Sequence, residues 1–297
     1  MADRPHHPTR APTRIGPLTE RLLIVSADDF GLTPGVCRGI LRAHADGLVT
    51  STSALTVAPA FHSHAAALRD AGIDVGVHLA IVGEDPPLLS AREVPSLVDR
   101  TGRFPLTWRR ALARLAAGRV DPADVEREFS AQVEAVTSAG LRPSHVDAHQ
   151  HLHLWPAIGH VALRVAARAG VRAMRVVRSG RWNPSSLGVR ALSAALARDA
   201  RRAAVTFPDT TIGFDHAGSL DLSALEAELD RCGPGLAAVE LCAHPGEQVD
   251  PDRDRYAWGY AWGDELELMC SPAARDLVGR RGFRLGTYAD LVDVAGS

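Results

Sequence analysis

The sequence predicts an α/β fold: a single parallel (β/α) barrel, regular or distorted. Three observations carry that expectation. Stretches suited to strands and to helices alternate along the chain. Composition does not shift anywhere that would mark a second domain. Aspartates and histidines recur where the expected strands end, and such barrels assemble their sites at the carboxyl ends of the strands. Residues 1–20, rich in Pro, Arg, Thr and His, are expected to be a disordered extension, and 21–297 to be the barrel domain.

Leu22-Leu23-Ile24-Val25-Ser26-Ala27 reads as a first buried strand running into Asp28-Asp29-Phe30-Gly31. Residues 35–46 read as a helix closed by Gly47, and 49–57 as a second strand. A helix from Pro59 to about Ala71 follows, and then a third strand, 73–79, with His78 near its end. The Pro- and Gly-rich stretch to about Pro105 is long for a connection, as lids and binding loops are. Residues 108–117 and 122–139 are expected helices, the second opened by Asp121-Pro122 and closed before Gly140. Strand four is 144–148, the next helix 156–169, and strand five 173–177. Helix 184–205, strand 210–214, helix 222–231 and strand 236–243 continue the alternation, and His244-Pro245-Gly246 breaks the last strand. A helix from about Asp264, a strand at 282–285 and a helix at 288–294 complete the chain.

Composition excludes several classes. The net charge of −2 offers no footprint for nucleic acid or an anionic membrane. No apolar run is long enough to cross a bilayer, and the first twenty residues lack the apolar stretch of a secretory signal. Cys37, Cys232, Cys242 and Cys270 form no CxxC and are expected as reduced thiols, so a cytoplasmic location is expected. The chain has no lysine, which excludes Schiff-base enzymes, Walker-type phosphate loops and carboxylated-lysine metal bridges. Neither GxSxG nor GxGxxG occurs.

Asp28 and Asp29 are adjacent carboxylates that repel each other unless a cation or shared proton intervenes, so a metal is the first expectation. His78, the cluster His145-Val146-Asp147-Ala148-His149-Gln150-His151-Leu152-His153, and His244 lie at further strand ends. In an extended stretch alternate residues share a side, so the odd-numbered histidines of the cluster are candidates to face one site. They cannot all bind one metal, so some are expected behind the ligands or against substrate. Trp155, Trp182, Trp258, Tyr260 and Trp262 are candidates to stack on a sugar ring. Arg175 and Arg178 are candidates to meet a hydroxyl or an anion, or else ordinary surface or ion-paired arginines.

The stretches LLIVSADDFGLTPGVCRGI, GLVTSTSALTVAPAF, VGVHLAIVGEDPPL, GLRPSHVDAHQHLHLWPAI and ELCAHPGE, in this order, resemble the YdjC-like family of carbohydrate deacetylases, which includes the ChbG-type chitooligosaccharide deacetylases. The resemblance runs from about Leu22 to the C-terminus. It implies a (β/α) barrel related to that of polysaccharide deacetylases, with one divalent metal held by an Asp and two His. By that resemblance Asp29, His78 and His149 are the expected metal ligands, Asp28 the general base and His244 the general acid. Ser26 and Ala148 stand where Asn and Ser are common in the family. His151, His153, Arg175 and Trp258 are expected substrate contacts. Magnesium or zinc leads as the metal, with manganese, cobalt, nickel and iron admitted.

The expected activity is metal-dependent removal of the N-acetyl group from an N-acetylated amino sugar or short oligosaccharide, chitooligosaccharide-like, releasing acetate. The alternatives are hydrolysis of another ester, phosphoester or amide on the same barrel, and a catalytically inactive sugar-binding relative. The expected partner is the small N-acetylated sugar, with no nucleic acid and no membrane, and a homodimer is left open.

Overall fold

The structure is a computed structural model that describes residues 21–180 and 183–295. The expected extension over 1–20 and the candidate Trp182 lie outside those residues. Among the described residues, no helix is long and apolar enough to cross a membrane.

The strands are β1 (Arg21–Phe30), β2 (Ser51–Ala54), β3 (Asp74–Leu79), β4 (His145–Ala148), β5 (Ala173–Met174), β6 (Thr210–Ile212), β7 (Ala238–Ala243) and β8 (Phe283–Gly286). The helices are α1 (Pro34–Asp46), α2 (Phe61–Ala71), α3 (Trp108–Ala116), α4 (Pro122–Ser138), α5 (Pro156–Arg168), α6 (Pro184–Arg202), α7 (Leu222–Asp230), α8 (Trp262–Cys270), α9 (Pro272–Arg280) and α10 (Tyr288–Ala295). Side chains close most helix starts: Thr33, Thr107, Asp121, Asn183, Asp221 and Ser271 each accept a bond from a first-turn amide. Where one helix from about Asp264 was expected there are two. Pro272 has no amide hydrogen to continue α8, and Ser271 starts α9 instead.

All pairings are parallel, in the order β5-β4-β3-β2-β1-β7-β6. The two ends of this sheet approach each other through one bridge, Ala173 to Thr206, on the segment leading into β6. The barrel is therefore distorted, with a short seam beside β5, which has two residues rather than the five expected.

A second distortion lies at β1. Its residues 22–27 pair with β7 along one edge. The other edge is shared, by β8 along residues 21–24 and by β2 from Ser26 to Phe30. Strand β8 is thus a wedge at the bottom of the barrel rather than an eighth stave.

Period-two alternation sorts the strand residues. In β1, Leu23, Val25 and Ala27 join the large apolar cluster that also includes Val36, Ile40, Phe61, Val161 and Leu277 from the helices. Leu22 and Ile24 belong instead to a small cluster with Ala173, Ala238, Tyr288 and Leu291, which fills the bottom of the barrel under α10. Above it the buried residues are polar: Ser26, Ser53, His145, Asp147, Arg175, Thr211 and Glu240. The acidic pair and the remaining histidines stand over this layer, at the carboxyl ends of the strands.

Candidate metal centre

Adjacent residues of a regular strand point to opposite faces. Asp28 and Asp29 escape this because the β1–β2 register shifts between Ala27 and Phe30, and Asp29 takes the left-handed conformation, φ 67°. Aspartate tolerates that region better than most residues. Gly31 follows at φ 109°, where a Cβ would come within 2.8 Å of Phe61 Cβ and 2.9 Å of Leu55 O, so the turn requires glycine.

Three ligand atoms converge on one point. His149 Nδ1 lies 3.1 Å from Asp29 Oδ1, His78 Nε2 lies 3.4 Å from the same oxygen, and the two nitrogens are 3.3 Å apart. Ligands at about 2.0–2.2 Å from a cation in tetrahedral or octahedral array stand roughly 3.0–3.5 Å from one another. Asp29 Oδ1 is buried without a hydrogen bond. A divalent cation fits both the orphaned oxygen and the spacing, and Asp29, His78 and His149 form a candidate metal cluster.

The charges agree. Burial works to raise the Asp29 pKa, but His149 and then His78 beside it hold the carboxyl below the usual range. Burial works to lower the His78 pKa; Asp147, then Asp29 and Asp28, push it up to about 9. The cause is direct: Asp147 Oδ1 accepts the Nδ1 proton of His78 at 2.8 Å. A carboxylate behind a histidine fixes its tautomer and leaves Nε2 free for the metal.

Asp28 is buried and chelated by Arg175, whose Nη1 and Nη2 donate to its two oxygens at 2.6 and 2.7 Å. Arg175 also pairs through Nη1 with Asp147 at 2.6 Å and donates through Nε to Glu240 at 2.8 Å. Its side chain is wholly buried, so the expectation that Arg175 meets substrate is corrected: it is spent on three carboxylates. His153 is corrected in the same way. It is 0% exposed, its Nε2 lies 3.0 Å from Arg175 O, and burial pulls its pKa down to about 4. Arg178 is exposed.

The extended reading of the histidine cluster holds through His149 and then fails. Strand β4 ends at Ala148, and 149–154 form a 3₁₀ turn in which Gln150 and His151 adopt left-handed angles of φ 49° and 54°. Gln150 reaches the long loop, accepting from Trp108 N at 2.7 Å and donating to Leu106 O at 3.3 Å. His151 packs edge-on against Phe214, with ring centroids 4.9 Å apart, and its Nδ1 is buried without a partner.

His244 stands across from the acidic pair, its Nε2 4.0 Å from Asp28 Oδ2. Its backbone amide donates to Glu265 Oε2 at 2.6 Å, and its Nδ1 is buried 3.8 Å from the same oxygen with no hydrogen bond. Trp258 tilts over His149 at 5.2 Å between ring centroids, and Tyr260 meets His244 edge-on at 5.0 Å. Trp262 is buried against both Trp258 and Tyr260, while Trp155 packs partly buried on the core. The long loop is pinned to the aromatic one: Trp258 Nε1 donates to Glu84 at 2.9 Å, and Asp85 takes Tyr256 OH at 2.9 Å and Arg255 Nη2 at 2.5 Å.

Sequence reasoning assigned no role to Asp147, Glu240, Glu265 or Ser53. Asp147 carried a signal, since it shares the alternation of His145 and His149. Glu240 carried one too, as a lone carboxylate in the apolar run Ala238–Ala243. Glu265 carried none, because an acid in the first turn of a helix is commonplace.

The model of the family described as YdjC-like protein matches residues 22–280. A chitooligosaccharide deacetylase of Escherichia fergusonii is 30% identical over 274 residues, covering 92% of this chain and 100% of the relative. A carbohydrate deacetylase of Geobacillus stearothermophilus is 31% identical over 274 residues, covering 91% and 98%. A crystal structure from Enterococcus faecalis V583, described as that of a candidate cellobiose-phosphate cleavage protein, superposes with a TM-score of 0.77 at 27% identity, covering 92% of this chain and 99% of that one.

Proposed function

The chain belongs to the YdjC-like family, and we propose that it is a metal-dependent carbohydrate N-deacetylase. It removes the acetyl group of an N-acetylated amino sugar or short chitooligosaccharide-like chain and releases acetate and a free amine. Curated relatives matched over nearly their whole length carry the names chitooligosaccharide deacetylase and carbohydrate deacetylase. The observation that carries the chemistry is the pairing of Asp28 and His244. They face each other at 4.0 Å, Asp28 from β1 and His244 from the residue after β7, over the convergent Asp29, His78 and His149.

Amide hydrolysis needs a base for the attacking water, stabilisation of the developing oxyanion, and a proton for the leaving amine. Asp29, His78 and His149 would hold a divalent cation, which would supply Lewis-acid polarisation of the acetyl carbonyl and the water. Asp28 takes the proton of the water. Arg175 grips both of its oxygens and thereby fixes the carboxylate plane. His244 gives the proton to the amine from Nε2, with Glu265 behind it. Trp258 and Tyr260 offer aromatic faces to the sugar ring beside the metal ligands. Zinc and magnesium lead as the metal, and the cytoplasm as the location.

The test is acetate release. Metal-free protein is reloaded with zinc, magnesium, manganese or cobalt and incubated with N-acetylglucosamine, its dimer and its trimer. Acetate released only after metal is added back is the expected result. Turnover of a phosphoester with no acetate from any of these sugars would overturn the assignment in favour of another hydrolase. Sugar binding without turnover of anything would make the chain a binding protein.

A further inference from the structure

The bottom of the barrel is closed by α10, past the end of the family match. Thr287 and Asp290 cap its start on each other, and Tyr288 N donates to Asp74 Oδ2 at 3.1 Å, so the helix entry is anchored to β3. Tyr288 is 0% exposed and points up the barrel axis from the small apolar cluster. Its ring stacks on His145, with centroids 3.8 Å apart and planes 13° apart. The Nε2 end of the His145 ring lies against Gly76, where a Cβ would come within 2.3 Å of it. The imidazole is held by the plug and by bare backbone together.

A directed chain of hydrogen bonds leaves that ring. Ser53 Oγ donates to Asp147 Oδ2 at 2.8 Å, so its oxygen is left to accept from His145 Nε2 at 3.3 Å. With the Ser53 proton directed at Asp147, this contact is a hydrogen bond in the Nε2–H tautomer of His145, in which the Ser144 hydroxyl turns from Val75 O at 3.2 Å to the Nδ1 lone pair at 3.0 Å. Asp147 Oδ1 then takes the Nδ1 proton of His78, which leaves His78 Nε2 facing Asp29 and His149. In that tautomer the links run in one direction, and turning the His145 ring would break them at Ser53.

We propose that Tyr288 is a positioning residue for the metal centre, its ring fixing His145 and, through Ser53 and Asp147, the orientation of the ligand His78. The inference rests on the metal-dependent reading above, and extends the working site from the mouth of the barrel to its C-terminal plug. Removing a partner behind a metal-bound histidine weakens metal binding by about 10–100-fold. A plug that only filled space would change stability and leave the metal alone.

The test uses cobalt(II) as the probe metal on the full chain, reading both its dissociation constant and the visible ligand-field spectrum. Tyr288→Leu and Ser53→Ala are expected to weaken cobalt binding measurably, by less than the roughly 10–100-fold that loss of the direct partner Asp147 would cost, and to change the spectrum. Tyr288→Phe, which keeps the ring, is expected to restore wild-type affinity and spectrum. Tyr288→Leu with a lower melting temperature but unchanged affinity and spectrum would overturn the proposal, as would a Phe variant no better than Leu. If Tyr288→Leu does not fold, Ser53→Ala and Tyr288→Phe decide on the same readouts: Ser53→Ala with wild-type affinity overturns the relay. Wild-type protein that binds no cobalt would instead overturn the metal-dependent reading itself.

Discussion

At the scale of single residues, the proposed roles divide between groups that would hold a cation and groups that would move a proton. Asp29, His78 and His149 each offer one atom to a common point, and two ligands hold a cation poorly. His78→Ala and His149→Ala are therefore expected to leave the purified protein with a small fraction of the wild-type metal content by elemental analysis; full occupancy in both would remove them as ligands. Asp28→Asn is expected to keep the metal and lose about 10²–10⁴ in kcat. Arg175 would still have Asp147 and Glu240 to balance it, so the fold should survive. Metal loss in Asp28→Asn with retention in Asp29→Asn would exchange the two roles. His244→Ala is expected to lower kcat by about 10²–10⁴ with a smaller change in KM, and near-full kcat would reduce His244 to a turn residue. The carboxylate pair and the strand-end histidines were legible because each sits where a local pattern stops. Arg175 was not. Two of its three partners lie 147 and 65 residues away in sequence, and no local pattern tells a buried triple ion pair from an exposed cation.

At the scale of elements, the site depends on places where regular structure gives way. The β1 bulge turns two neighbouring aspartates to one side, and the left-handed pair Gln150–His151 ends the alternation of β4 just after the candidate ligand His149. Strained conformations of this kind cost roughly 1–3 kcal/mol each and persist only where surrounding contacts enforce them. Here Gln150 is tied to both ends of the Leu106–Trp108 segment. Strand order along the chain was legible from hydrophobic runs, but these irregularities, the two-residue β5 and the wedge β8 depend on contacts between distant segments. The aromatic loop was legible by composition alone, and its placement follows from the Glu84 and Asp85 contacts. Trp258 leans over the candidate ligand His149 and is half-buried, as a sugar platform would be. An aromatic contact is worth about 0.5–1.5 kcal/mol, so Trp258→Ala is expected to raise KM for a chitooligosaccharide roughly 2–10-fold. The measurement is steady-state acetate release against sugar concentration; an unchanged KM would assign the ring to packing on His149.

At the scale of the whole molecule, the polar layer inside the barrel sets how stability depends on pH. Burial holds His145 and His153 neutral, each with its pKa lowered to about 4, and pushes His151 down as well. Unfolded histidine titrates near about 6.5, so below that pH the unfolded chain binds protons these rings refuse, and stability falls as pH drops from 6.5 towards 4. The carboxylates that burial raises, Asp85, Glu128 and Glu240, act the other way, and from their lower unfolded values they act mainly towards the acid end of that window. His78 has the opposite sign to the three buried rings. In metal-free protein its folded pKa of about 9 lies above the unfolded value, so its contribution is complete below about 6.5 and is lost as pH rises through 9. Metal-free protein is therefore expected to be most stable near pH 6.5 and to weaken on both sides. A cation bound at His78 would take the place of its proton, so the metal-loaded protein should keep its acid arm and lose its alkaline one. Melting temperatures of the two forms between pH 5 and 9.5 test this directly. A metal-free profile still rising from pH 7 to 9 would contradict the Asp147–His78 pairing, and one flat from 6.5 to 5 would contradict the neutral histidines.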